Sequence, residues 1–330
     1  MAKLLCLFLL IAQGVFAQTT RPTLDINLSN YEYPYPVSYF ALKSQNEDLK
    51  MAYMDVQPKT PNGKTVVLLH GKNFNGAYWK TTIARLTAEG FRVVVPDQIG
   101  FGKSTKPAHY QYSFQQLAQH TKAVLDHLNI NKIYLLGHSM GGMLATRFAL
   151  MYPEKVEKLV LENPIGLEDW KLVAPYVPID KQYQTELKTA FDTAKQYQLK
   201  NYYDGKWKPE YDEWVYLLTG WVKDKDYPVV AWNNALTSDM VFTQPVCYEF
   251  GNIKAPTLLI IGTRDRTAIG KQNVPKEVQA TMGQYQKLGK ETQKKIPTAK
   301  LIELDNVGHL PHIEAFERFV EPLVGFLKKG

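Results

Sequence analysis

The sequence predicts an α/β protein: an open, mostly parallel β-sheet covered by helices on both faces. Three observations lead there. Short continuous apolar runs recur along the chain: "KTVVLLHG" (64–71), "FRVVVPD" (91–97), "KIYLLG" (132–137), "VEKLVLEN" (156–163), "PTLLIIGT" (256–263) and "AKLIELD" (299–305). Runs of this length without polar alternation suit parallel strands buried on both faces. Helix-like stretches lie between or after them, at Gly76–Glu89, Ser113–Leu128, Met140–Met151 and Ile313–Leu327, which is the strand–helix alternation of such a sheet. The alternation breaks only once, across roughly 166–250.

Taken in order, the chain opens on "MAKLLCLFLLIAQGVFAQTT". Lys3 is a short positive start, Leu4–Ile11 an almost unbroken apolar stretch, and Val15-Phe16-Ala17 resembles a small-residue cleavage site. The pattern is that of a secretory signal peptide over 1–17, cut after Ala17, and its apolar run is well short of the ~20 residues that span a bilayer. The expected protein is exported, secreted or periplasmic, without stable membrane insertion. Residues 18–36, with Pro34 and Pro36 among tyrosines, form an extended lead-in segment, and Val37–Leu42 with Leu49–Val56 an antiparallel hairpin ahead of the parallel sheet. The core is expected over 37–165 and 251–330. The intervening 166–250 is helical in tone and carries 17 Phe, Tyr and Trp in 85 residues, about 20% against 12% overall. Most of these aromatics hold a small inserted lobe together, and a minority facing the sheet would line a pocket.

Composition narrows the function. With 45% hydrophobic and 22% charged residues the chain is ordinary for a globular protein. The net charge is +7 and the pI about 9.0, but the lysines are scattered in runs no longer than pairs such as Lys294-Lys295. That describes a mildly basic surface and no nucleic-acid partner. Of the two cysteines, Cys6 leaves with the leader and Cys247 remains alone, a small core residue with no metal-type spacing.

"LLGHSMGGM" (135–143) carries the chemistry. G-x-S-x-G is weak alone, but here Ile133–Leu136 supplies a strand before the serine and Met140–Met151 a helix after it. That turn exposes the Oγ of Ser139, and Gly137 and Gly141 lack the side chains that would obstruct it. A serine needs a base, and the chain order for this arrangement is serine, acid, histidine. Asp265 stands just past one apolar run and His309 just past the last. Strand ends of a parallel sheet share one edge, so the three converge: Ser139 as nucleophile, His309 as general base and acid, Asp265 holding the imidazole tautomer. Glu162, Asp169 and Asp97 compete less well as the acid. His138 points away at an elbow, and a metal pair of His309 and His312 has no third ligand, so neither metal nor cofactor is expected. The backbone N–H groups of Lys72, after the strand end His70-Gly71, and of Met140 would form an oxyanion hole, with Asn73 the second candidate beside Lys72. The Lys72 side chain is expected to face solvent.

Together, His70-Gly71, "PDQIGFGKS" (96–104), "GHSMGG" (137–142), "GTRD" (262–265) and "GH" (308–309) resemble the α/β-hydrolase superfamily, in its branch with a helical cap after the sixth strand. The resemblance covers about 37 to 328. It implies an eight-stranded sheet whose second strand is antiparallel, and a substrate held between cap and sheet edge. Haloalkane dehalogenases and epoxide hydrolases are similar around 96–104 but use an aspartate nucleophile where this chain has Ser139. The His-Gly-Lys-Asn-Phe of 70–74 departs from the His-Gly-Gly-Pro-Gly of prolyl aminopeptidases and from lipases of the His-Gly-Gly-Gly type. What the resemblance leaves is a serine carboxylesterase or lactonase acting on a small-to-medium molecule with an apolar or aromatic part. Beside it stand a carbon–carbon bond hydrolase of a dienolic diketone, a haloperoxidase-like enzyme without cofactor, and a non-catalytic ligand-binding relative. No oligomeric state follows from the sequence.

Overall fold

A computed structural model describes residues 21–329. The leader over 1–17, Cys6 and the first residues of the 18–36 segment lie outside the described residues. The core is one eight-stranded sheet in the order β1-β2-β4-β3-β5-β6-β7-β8. β1 (Val37–Ser44) and β2 (Glu47–Val56) form the antiparallel hairpin, and β2 also runs antiparallel to β4 (Arg92–Pro96). All other pairs are parallel: β3 (Thr65–Leu69) with β4 and with β5 (Ile133–His138), then β6 (Val156–Glu162), β7 (Thr257–Gly262) and β8 (Ala299–Leu304). β5 and β7 are buried at every residue, which explains why both read as continuous apolar runs.

Helices cover both faces. α1 (Lys80–Ala88) follows a 3-10 turn over Gly76–Trp79, and α2 (Phe114–His127) is capped by Ser113 Oγ accepting the Gln116 N–H at 3.1 Å. α3 (Met140–Met151) starts directly behind Ser139 and buries nine of its twelve residues. Between β6 and β7 the chain runs through α4 (Ile179–Glu186), α5 (Phe191–Asn201), α6 (Asp212–Thr219) and α7 (Tyr227–Thr243). α8 (Lys276–Gln279) and α9 (Tyr285–Lys295) then link β7 to β8.

The sequence expectation of one helix over Ile313–Leu327 is corrected to two, α10 (Pro311–Glu314) and α11 (Phe316–Lys328). Ala315 between them leaves the helical region, at φ −141° and ψ 54°. The break lets Glu314 accept the Gly308 N–H at 2.6 Å and pair with Arg264. The lead-in segment is pinned to α6: Leu24 N–H donates to the Gly220 carbonyl, and Arg21 pairs with Glu213. Cys247 is a buried free thiol, and among the described residues no helix is long and apolar enough to cross a membrane.

Candidate active site

The C-terminal ends of the central strands reach one edge together. Leu69 pairs with Gly137, His138 with Glu162, and Glu162 with Ile260, so the segments after β3, β5, β6 and β7 start side by side. β4 lies on one side of β3 and β5 on the other. Open α/β sheets bind ligands at such a switch point.

Ser139 occupies the turn between β5 and α3 with φ +55° and ψ −121°. Such a conformation costs a non-glycine residue of order 1–3 kcal/mol and persists only where the surroundings enforce it. The enforcement is steric. A Cβ on Gly137 would stand 2.1 Å from the Gly141 carbonyl oxygen, and one on Gly141 2.2 Å from the Leu69 carbonyl oxygen. Strand and helix therefore touch backbone to backbone, and the serine is forced outward.

Ser139 Oγ lies 3.0 Å from His309 Nε2, and His309 Nδ1 lies 2.6 Å from Asp265 Oδ2. Asp265 also accepts the Thr267 N–H on Oδ1 and the Asn163 amide on Oδ2, each at 2.8 Å. Burial by itself would raise the Asp265 carboxyl. The neighbouring His309 charge and the hydrogen bonds from His309 and Thr267 outweigh it and hold the group below its ordinary value. An ionised Asp265 fixes the neutral His309 proton on Nδ1 and leaves Nε2 bare toward the serine hydroxyl. The competing acids go elsewhere. Glu162 accepts the N–H and Nδ1 of His312, Asp169 caps the Trp170–Leu172 turn, and Asp97 takes Tyr33 and two backbone N–H groups.

A family model described as the alpha/beta hydrolase fold matches residues 64–316. The chain belongs to this family. A crystal structure from Pseudomonas aeruginosa PAO1, described as a probable hydrolytic enzyme, is 50% identical with a TM-score of 0.92, covering 93% of this chain and 99% of that one. A haloalkane dehalogenase of Mycolicibacterium paratuberculosis is 32% identical over 170 residues, 48% of this chain and 56% of that protein, so the chain spans little more than half of that relative. A 2-hydroxy-6-oxononadienedioate/2-hydroxy-6-oxononatrienedioate hydrolase of Comamonas testosteroni is 29% identical over 218 residues, 62% of this chain and 72% of that protein.

In this α/β-hydrolase the loop after β3 lies against the elbow. A Cβ on Gly71 would meet Ser139 Cβ at 3.0 Å. Gly71 to Phe74 is a tight turn closed by the Phe74 N–H on the Gly71 carbonyl at 3.2 Å, with Asn73 at φ +68°. Among the described residues neither Lys72 N–H nor Met140 N–H has a protein acceptor. One sequence expectation is corrected here: the Lys72 side chain does not face solvent. It is 13% exposed, and its Nζ lies 3.5 Å from Glu186 at the end of α4 and 3.2 Å from Asn73 Oδ1. The helices that roof the site supply a carboxylate, which draws the ammonium under them.

The triad is covered, with Ser139 6% and His309 2% exposed. The Tyr202 ring, just past α5, lies over His309 at a centroid distance of 5.0 Å. Tyr202 also lines a cavity of about 370 Å³ with Asn73, Phe74, Ala194, Tyr197 and Leu218.

Asn163 was missed from the sequence. It sits one residue past β6 at φ +36°, completely buried. Its amide donates to Asp265 Oδ2 and to the Gly308 carbonyl at 3.0 Å, while its Oδ1 accepts the Gly262 N–H at 2.8 Å. It joins the acid's loop to the base's loop. The available signal was an asparagine directly after a buried strand, a residue that tolerates the left-handed region and offers both donor and acceptor.

Proposed function

We propose that this chain is a serine hydrolase that cleaves a small-to-medium carboxylic ester or lactone through an acyl-enzyme. The observation that carries the reading is the unbroken hydrogen-bonded series Ser139–His309–Asp265 at a strained strand-to-helix turn. Ser139 Oγ attacks the carbonyl as His309 Nε2 takes its proton, and Asp265 stabilises the imidazolium. The Lys72 and Met140 N–H groups receive the oxyanion. His309 returns the proton to the departing alkoxide, then activates the water that releases the acid and restores the serine.

The half-matching dehalogenase does not transfer its activity. A serine displacing a halide would leave an alkyl ether, which has no carbonyl for water to attack. The Comamonas relative favours a second reading, hydrolysis of a carbon–carbon bond in a dienolic diketone, with the same three residues and a carbanion as leaving group. The leader pattern supports export and a mature chain beginning at Gln18, checked by the N-terminal sequence of the protein recovered outside the cytoplasm.

The test is turnover of p-nitrophenyl esters of increasing acyl length by wild type and Ser139→Ala. Wild-type turnover that falls at least about a thousandfold in the variant supports the nucleophile. A variant as active as wild type overturns the reading, and a folded wild type inert to every ester but active on a dienolic diketone selects the second one.

A further inference from the structure

A buried series of hydrogen bonds behind the site belongs to none of the roles above. Tyr78 lies in the Gly76–Trp79 turn, and its hydroxyl is 2.9 Å from the Gly71 nitrogen and 3.1 Å from His138 Nδ1. His138 Nε2 is 2.7 Å from the main-chain carbonyl oxygen of His309. The directions are forced. Gly71 N–H can only donate, so the tyrosine oxygen accepts it. The tyrosine's own proton then points at His138 Nδ1, which must be bare. The one proton of the neutral ring sits on Nε2 and is donated to the His309 carbonyl. Every polar side-chain atom of Tyr78 and His138 is used.

We propose that Tyr78 and His138 are positioning residues for the hydrolysis: a neutral strap that sets the oxyanion loop and the general base at a fixed separation on either side of Ser139. The proposal rests on the serine-hydrolase reading. One end of the strap holds Gly71, the residue before the Lys72 N–H, where the loop has no slack because a Cβ on Gly71 would stand 3.0 Å from both Ser139 Cβ and His138 Nδ1. The other end holds the backbone that carries the His309 ring. Misplacement of either group by an ångström costs up to about 10²-fold in rate.

Neutrality matters as much as geometry. The His138 and His309 rings are 4.9 Å apart, and His309 becomes an imidazolium midway through each half-reaction. A second charge at His138 would oppose it. Tyr78 from the turn, Glu162 from β6, His309 from the loop after β8 and His312 from α10 all face His138. Burial first and the His309 charge second push the His138 pKa down to about 3, with Glu162 acting the other way. The tyrosine proton also occupies the one ring nitrogen free to be protonated.

The test is Tyr78→Phe, which keeps the ring and removes the hydroxyl. The expected result is kcat lower by roughly 10- to 100-fold with KM within about twofold. The split between kcat and KM reads positioning, and the pH profile of kcat/KM should keep its shape, because burial and the His309 charge still hold the His138 ring neutral. The double variant with His138→Gln should lose no more than the worse single, since the two act as one unit. Wild-type kcat in folded Tyr78→Phe, or losses that multiply in the double variant, overturn the strap. Histidine ring ¹⁵N shifts of the Ser139→Ala protein measure it without turnover: His138 should carry its proton on Nε2 alone across about pH 5 to 8. An Nδ1–H tautomer or a protonated ring there sinks the strap, whereas full hydrolysis by Ser139→Ala sinks the serine reading on which its role depends.

Discussion

At the scale of single residues, the acid and its supports offer sharp tests of the proposed triad. Asp265→Asn would offer His309 Nδ1 an amide that can turn its N–H toward the ring, favouring the tautomer with the proton on Nε2. The expected loss in kcat is about 10⁴-fold with the fold intact, read by steady-state kinetics beside circular dichroism. Asn163→Ala leaves the Gly262 N–H and the Gly308 carbonyl without their partner. Orphaned buried groups cost about 1–3 kcal/mol each, so both stability and kcat should fall, and an unchanged urea midpoint would refute the bridging role. Glu162 gives a pH signature. Burial raises its carboxyl to about 7, partly offset by His138, the His312 N–H and His309, and its Oε2 has no partner. Between pH ~4.5 and about 7 the folded state keeps a proton that the unfolded state has released, so this group subtracts stability as pH rises, by about 1.4 kcal/mol per pH unit. Buried histidines pull the opposite way. The measurable quantity is therefore the difference from Glu162→Gln: the variant should gain on wild type as pH rises through this window, and parallel stability curves would refute the assignment.

At the scale of elements, the elbow is the least tolerant piece. Gly137→Ala drives a methyl into the Gly141 backbone, which no rotamer change can relieve. The expected cost is 1–3 kcal/mol or more, with kcat falling further because Ser139 shifts; thermal denaturation and kinetics on one preparation read both. The elements legible from sequence were those with dense apolar patterns. α3 runs from Met140 to Met151 as expected, and each of the six apolar runs coincides with a strand to within two residues at either end. α9 escaped notice because its sequence "YQKLGKETQKK" is largely polar. Its buried or half-buried positions, Tyr285, Gln286, Leu288, Gly289, Thr292 and Gln293, follow helical spacing, but only Tyr285 and Leu288 carry large apolar side chains. A Cβ on Gly289 would stand 3.1 Å from the Ile261 side chain of β7, a tight contact at this point of the packing. The break at Ala315 was equally invisible, since it is set by Arg264 and Gly308, about 50 and 7 residues earlier in the chain.

At the scale of the whole molecule, the helices between β6 and β7 divide in two. α4 buries none of its residues and α5 only Gln198, whereas α7 buries ten of seventeen. Few buried contacts mean low-energy local opening. Amide hydrogen exchange should therefore be faster in α4 and α5 than in α7 and the sheet, and equal protection would contradict this division. α5 leads into Tyr202 over His309, and α4 ends at Glu186 beside Lys72, so the less buried helices are the ones that border the site of a serine only 6% exposed. The sequence by itself determined the sheet, the elbow and the candidates Ser139, Asp265 and His309, because strand runs, turn glycines and chain order are local or ordinal properties. Only the tertiary structure decided that Asn163 joins acid to base, that Tyr78 and His138 link the His-Gly loop to His309, and that Lys72 turns under the roofing helices. Each of those depends on segments tens to hundreds of residues apart meeting at one sheet edge, where direction and distance, rather than residue type, set which polar groups find each other.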